Sequence, residues 1–146
     1  MHAIVKKIEP LPKYRLMALF DNGERRIYDV TPWIDNKRAF APLRDTRGLF
    51  ERVRTDCGGM GIAWNDEIDL DADELWEHGT QVHTPFDGLI AFSDATELWG
   101  LNESTLRKAI SYGKLVDGVD VCKFGKQWVV SMDAMQREYG SRQERE

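Results

Sequence analysis

Phe92-Ser93-Asp94-Ala95-Thr96-Glu97-Leu98-Trp99-Gly100-Leu101-Asn102-Glu103-Ser104-Thr105-Leu106-Arg107-Lys108-Ala109-Ile110-Ser111-Tyr112-Gly113-Lys114-Leu115 is the stretch that decides how this chain folds. Its apolar residues recur at helical spacing twice. Ala95, Leu98 and Trp99 make an i, i+3, i+4 stripe on a first short helix, with Ser93 as its expected N-cap. Leu106, Ala109 and Ile110 share a face of a second helix. Asn102 is that helix's expected cap, Glu103 lies against the positive end of its dipole, and Gly113 is its stop. Between the two, Gly100-Leu101 leaves room for a tight turn alone.

This order is the helix-turn-helix pattern, whose second helix enters the DNA major groove. At roughly 100° per residue, Ser104, Lys108 and Ser111 point away from the apolar face, flanked by Thr105, Arg107 and Tyr112. Hydroxyls and cations on one face can meet phosphate oxygens and base edges. A plain solvated face has the same polarity, because polar residues opposite an apolar stripe are the rule. The residues downstream favour the DNA reading. Residues 119–124 and 127–130 are β-prone runs separated by Gly125-Lys126, a two-residue hairpin signal. Ser131 is placed to cap a last helix in which Met132, Met135 and Tyr139 share a face. Helix, turn, helix, hairpin, helix is a winged helix-turn-helix. Lys114 just beyond the second helix, and Lys123 and Lys126 at the hairpin tip, are the expected phosphate ligands.

Residues 89–140 resemble the small winged helix-turn-helix domains of the MerR and excisionase kind in their short first helix, turn and Gly-Lys-Leu continuation. They are also similar to small bacterial helix-turn-helix proteins sharing Leu-Trp-Gly-Leu, Ser-Thr-Leu-Arg-Lys-Ala-Ile and Phe-Gly-Lys-Gln-Trp. The resemblance implies double-stranded DNA as a partner and says little about the target sequence.

Composition sets the limits. The chain has 146 residues, 42% hydrophobic and 31% charged, an ordinary globular balance with length for one domain or two small ones. No run is long enough to cross a bilayer and the N-terminus lacks the order of a signal peptide, so a cytoplasmic location and no membrane are expected. Two cysteines, Cys57 and Cys122, do not make a disulfide framework. His2, His78 and His83 lack metal-ligand spacing. The net charge of -5 is unusual for a DNA binder. Residues 1–88 hold 12 Lys/Arg against 16 Asp/Glu, and residues 89–146 hold 8 against 9. In the window 102–128, Arg107, Lys108, Lys114, Lys123 and Lys126 outnumber Glu103, Asp117 and Asp120. The positive charge is local, so binding is expected to be weak per monomer, salt-sensitive and helped by a homodimer.

Upstream, residues 3–9, 14–20 and 24–30 read as strands, with Pro10 and Pro12 punctuating the first connection and Asp21-Asn22-Gly23 a strong hairpin signal. Thr31 is the expected cap of a short helix with Pro32 at its first position. Short apolar pieces around Phe40, Leu43 and Phe50 suggest a helical cover. A further hairpin is expected around Cys57-Gly58-Gly59, then Ile68-Asp69-Leu70 leading into a helix over 72–78 capped by Asp71. Asp69, Asp71 and Asp73 open like an EF-hand loop, yet Glu74 stands where glycine is needed and Thr80 where the bidentate Glu belongs. No metal or cofactor is expected. Residues 1–80 resemble an uncharacterised bacterial small α+β domain family, through Phe20-Asp21-Asn22-Gly23-Glu24, Tyr28-Asp29-Val30, Leu43-Arg44-Asp45 and Trp64-Asn65 with Ile68-Asp69-Leu70. That likeness implies no enzymatic activity and a gene neighbourhood of toxin–antitoxin character, hence a protein partner from a neighbouring gene.

The chain therefore reads as α+β: a small antiparallel-sheet domain (1–80), a linker (81–88), a winged helix-turn-helix (89–140) and a disordered tail (141–146). No nucleophile with a motif-spaced His and no phosphate-cradling glycine loop is present, so no enzyme is expected. A DNA-binding transcriptional regulator, in a special case an antitoxin-like autorepressor, is the first expectation. Its DNA-binding residues are Ser104, Thr105, Arg107, Lys108, Ser111, Lys114, Lys123 and Lys126. The alternative is a protein-interaction module that does not touch DNA.

Overall fold

The structure, a computed structural model, describes residues 2–142. Its chain divides into two compact units, Met1–Pro85 and Phe86–Glu146.

In the first unit β1 (Val5–Leu11), β2 (Arg15–Phe20) and β3 (Arg25–Asp29) form an antiparallel meander. The β2–β3 turn is built as its residues demand: Gly23 takes φ 84°, and the Asn22 side chain accepts the Glu24 N–H at 3.0 Å. Alternate residues Leu16, Ala18 and Phe20 of β2 face the core. Over them lie α1 (Thr31–Asn36), a 3-10 turn at Arg38–Phe40, α2 (Pro42–Asp45) and a 3-10 turn at Phe50–Arg52, which bury Ile34, Phe40, Leu43 and Phe50. A second antiparallel sheet comprises β4 (Arg54–Asp56), β5 (Gly61–Ala63) and β6 (Asp69–Asp71), and α3 (Ala72–His78) comes after it. Last, β7 (Thr80–Val82) pairs with β3, giving the sheet order β1-β2-β3-β7. The polar tips of three aromatic side chains find partners in this core. Trp64 Nε1 donates to the Phe50 carbonyl at 3.1 Å, and Trp33 Nε1 donates to the Tyr28 hydroxyl, which donates to Glu74, each at 2.7 Å.

Several expectations are corrected here. The first strand continues through Pro10 to Leu11; β1 is an edge strand, where a residue lacking an N–H leaves no ladder bond unmade. Thr31 is not a cap, because Val30 already has helical backbone angles, and the Asp29 carboxylate takes the Thr31 N–H at 2.9 Å. Asp71 occupies the cap position of α3 without a side-chain cap bond. Residues 69–71 are a strand of their own. Residues 81 and 82 are not linker: β3 has a second edge to pair, and β-prone Thr80-Gln81-Val82 pairs with it.

In the second unit β8 (Leu89–Ala91) leads into α4 (Phe92–Trp99) and α5 (Glu103–Ser111). The hairpin of β9 (Val121–Phe124) and β10 (Gln127–Ser131) comes next, then α6 (Met132–Tyr139). The sheet order is β8-β10-β9. Gly100, at φ 65°, reverses the chain after α4. Beyond α5, Gly113 at φ 80° closes a Schellman turn, its N–H on Ile110 O at 3.1 Å and the Lys114 N–H on Ala109 O at 2.9 Å. Phe92, Leu98, Trp99, Leu106, Leu115, Val130 and Met135 make the core. Ser131 caps α6 by accepting the Ala134 N–H at 3.0 Å. Ser93 does not cap α4; Ala91, still extended from β8, holds that position, because Phe92 is drawn into the core. Asn102 stands at the cap of α5 without a side-chain bond. The strand expected from residue 119 starts at Val121: Gly118 turns the chain at φ 90° and Val119 is exposed. Residues 143–146 of the expected tail lie outside the described residues. No described helix is long and apolar enough to cross a membrane.

Candidate nucleic-acid interface

Burial orients α5. Leu106 has no exposed surface and Ala109 is buried, while Ser104, Arg107, Lys108 and Ser111 are exposed and Thr105 is half-buried at the flank. Full burial of one leucine contributes about 1.5–3 kcal/mol. The Glu103–Arg107 ion pair on the same helix, at 3.2 Å and well exposed, contributes about 0.3–0.5 kcal/mol. Hydrophobic burial therefore sets the rotation of the helix, and the outward row is its consequence. Ser111 donates back to the Arg107 carbonyl at 3.3 Å, a local bond along the helix edge. Tyr112, at the C-cap of the helix and flanking the row, is 77% exposed.

The other expected ligands stand on the elements after α5. Lys114 lies just past the Schellman turn, with its Nζ 5.5 Å from the Tyr139 ring centre. Lys123 on β9 lies 5.7 Å from the Trp128 ring centre, across the register pair of the hairpin. Lys126 occupies the two-residue turn beside Gly125, which takes φ 61°. Phe124 projects next to that turn, 60% exposed.

The structure brings two of these cations together. A depression of about 290 Å³ lies between α4, α5 and the hairpin tip, lined by Phe92, Ser93, Glu103, Arg107, Lys126, Gln127 and Trp128. The Phe92 and Trp128 rings, stacked at 5.7 Å between centroids, are part of its lining. Ser93 and Gln127 were not legible as site residues, since nothing local links residue 93 with residue 127.

A further group holds these elements in place. The Asp120 carboxylate, 7% exposed, accepts Arg137 Nη2 at 2.9 Å, Arg137 Nη1 at 3.2 Å and the Val116 N–H at 2.8 Å. Arg137 Nη2 also donates to the Lys114 carbonyl at 3.4 Å. The guanidinium first, and the Val116 N–H second, hold the Asp120 carboxyl below the usual carboxylate range. One carboxylate thus ties α6 to the segment joining α5 and β9.

The comparisons with known proteins agree with this layout. Residues 5–81, more than half of the chain, match the family described as a protein of unknown function, DUF2442. The chain belongs to that family. Residues 83–144 of this DUF2442 protein match a helix-turn-helix domain, an architecture of DNA-binding proteins. No curated protein and no solved structure matches the chain. Among the described residues of this family member, no three His, Cys, Asp or Glu side chains are grouped to hold a metal ion. Cys57 is exposed and Cys122 half-buried, both without a disulfide.

Proposed function

We propose that this protein is a sequence-specific DNA-binding transcriptional regulator that acts without enzymatic chemistry, in the cytoplasm and as a homodimer. The observation that carries the reading is the exposed row of hydroxyls and cations on α5, opposite a fully buried Leu106 and beside a two-residue hairpin. Ser104, Lys108 and Ser111 face base edges in the major groove, with Thr105 and Arg107 beside them on the two flanks. Lys114, Lys123 and Lys126 contact phosphates. The DUF2442 unit supplies dimerisation or a docking face for a protein encoded nearby, which makes an antitoxin-like autorepressor a special case.

Selection of bound fragments from random duplex DNA by the full-length protein tests this. A shared motif emerges, and Lys108→Ala with Ser104→Ala abolishes preference for it while the circular dichroism melt is unchanged. Recovery of unrelated fragments alone would refute sequence reading. The net charge of -5 favours a second reading, a protein-interaction module that leaves DNA alone. Heparin separates the two: the regulator is retained at low salt, and the interaction module elutes in the void.

A further inference from the structure

We propose that the cleft between α5 and the hairpin tip seats one phosphodiester of the DNA backbone, clamped by Arg107 from the helix and Lys126 from the turn. The proposal rests on the DNA-binding reading and changes the work assigned to Arg107. At 100° per residue Arg107 stands roughly 60° to one side of Ser104, off the outward row and toward the hairpin side. There it shares the lining of a concave site with Lys126, to one side of the outward row. Two cations from separate elements converge on this cleft, and the Ser93 hydroxyl and Gln127 amide on the same walls add neutral donors. Such donors are what a phosphate with several oxygens to satisfy requires. The stacking of Phe92 on Trp128 ties the hairpin to α4 beside this cleft.

Glu103 completes the device. Its carboxylate holds the Arg107 guanidinium at 3.2 Å, and both side chains line the cleft. A carboxylate and a phosphodiester each present two oxygens that a guanidinium fork can engage. Glu103 therefore occupies Arg107 when no DNA is present, and the exposed pair is weak enough to exchange. Glu103 is a built-in competitor of the backbone phosphate.

The test is fluorescence anisotropy with the full-length protein on a selected duplex and a scrambled one, across a KCl series. Arg107→Ala and Lys126→Ala each weaken both duplexes by the same factor, roughly five- to tenfold for each copy bound, as expected for one charge-assisted contact per copy. Each flattens the slope of log affinity against log salt by about one for each copy bound. Glu103→Gln strengthens both duplexes about two- to threefold, a gain that misfolding does not mimic. If Arg107→Ala weakens the selected duplex alone or changes the preferred base, Arg107 reads sequence and the clamp is wrong. An unchanged salt slope in both alanine variants overturns it as well, with DNA binding left standing. Failure of the wild-type protein to bind any duplex at low salt overturns the regulator reading and the clamp together.

Discussion

Asp120→Asn probes the carboxylate that joins α6 to the segment after α5. The wild-type side chain accepts three hydrogen bonds, two of them from Arg137. The amide keeps one acceptor oxygen and turns an NH2 toward a guanidinium that can only donate. Hydrogen bonds to charged groups contribute about 1.5–3 kcal/mol. Arg137 is 52% exposed, so solvent screening brings the expected loss to the lower end, about 1.5–2 kcal/mol. For a unit this small each kcal/mol moves the melting temperature by about 4–8 °C, so the C-terminal transition drops by about 6–16 °C at pH 7. The pH dependence has a definite sign. Arg137 lowers the folded pKa of Asp120 below its unfolded value, so its stabilisation is complete above about pH 4 and is lost as the pH falls toward the folded value. The gap between wild type and Asp120→Asn, measured by circular dichroism, is constant from pH 5 to 7, taken as roughly the range where carboxylates stay ionised, and narrows on acidification. A variant melting within about 2 °C of wild type at pH 7 would refute the clamp as a stabilising element.

The first unit supplies further tests. Gly58 and Gly59 both have positive φ, but a Cβ on Gly58 meets open space, whereas one on Gly59 comes within 2.5 Å of the Val5 carbonyl oxygen. Gly58→Ala therefore costs about 1–2 kcal/mol of backbone strain, and Gly59→Ala costs more because β1 has to move; thermal melts rank them. Tyr28→Phe removes the acceptor of Trp33 Nε1 and the donor to Glu74, a loss of about 1–3 kcal/mol, and shifts the Trp33 emission. Burial first, and the Glu74 bond second, raise the Tyr28 pKa, so the neutral phenol stabilises the fold below pH 10 and this support fades as the pH rises further. In an ultraviolet titration its phenolate appears only with unfolding.

Local rules make much of this fold legible. The Asn22-Gly23 turn, the Gly125-Lys126 turn, the Ser131 cap and the apolar stripes of α4 and α5 each depend on residues within a few positions of one another, so their chemistry is visible in a line of text. The features that escape such rules depend on distant partners. Pro10 reads as an interruption because a sequence does not announce which strand will lie at a sheet edge. Thr80-Gln81-Val82 reads as linker because its pairing partner is β3, some fifty residues upstream in the chain. Ser93 reads as a cap because nothing local marks Phe92, one position earlier, as core. At the candidate interface the individual cations on α5 and the hairpin can be named from periodicity. The meeting of Arg107 with Lys126, and the seating of Asp120 against Arg137, require the closed fold.

A chain with net charge -5 has few ways to hold a polyanion, and the salt dependence of binding counts them. Arg107, Lys114, Lys123 and Lys126, the cations assigned to phosphates, make four contacts per protomer, so the slope of log affinity against log salt is about -3.6 for one copy and about -7 for two. Between 50 and 200 mM salt, the interval over which such losses are commonly compared, the first slope weakens binding by roughly 150-fold and the second by roughly 20,000-fold. Acidic side chains more than about 14 Å away do not change this count, because exposed charges at that distance are screened even at the low-salt end. The slope therefore reports how many copies sit on one site without any assumption about the DNA sequence. A value near -7 that falls by about two, one for each copy, in Lys126→Ala is the signature of a dimer with one clamp in each half-site. A value near -3.6 that falls by about one means that a single copy suffices, and the DUF2442 unit then serves something other than pairing two DNA-binding domains on one site.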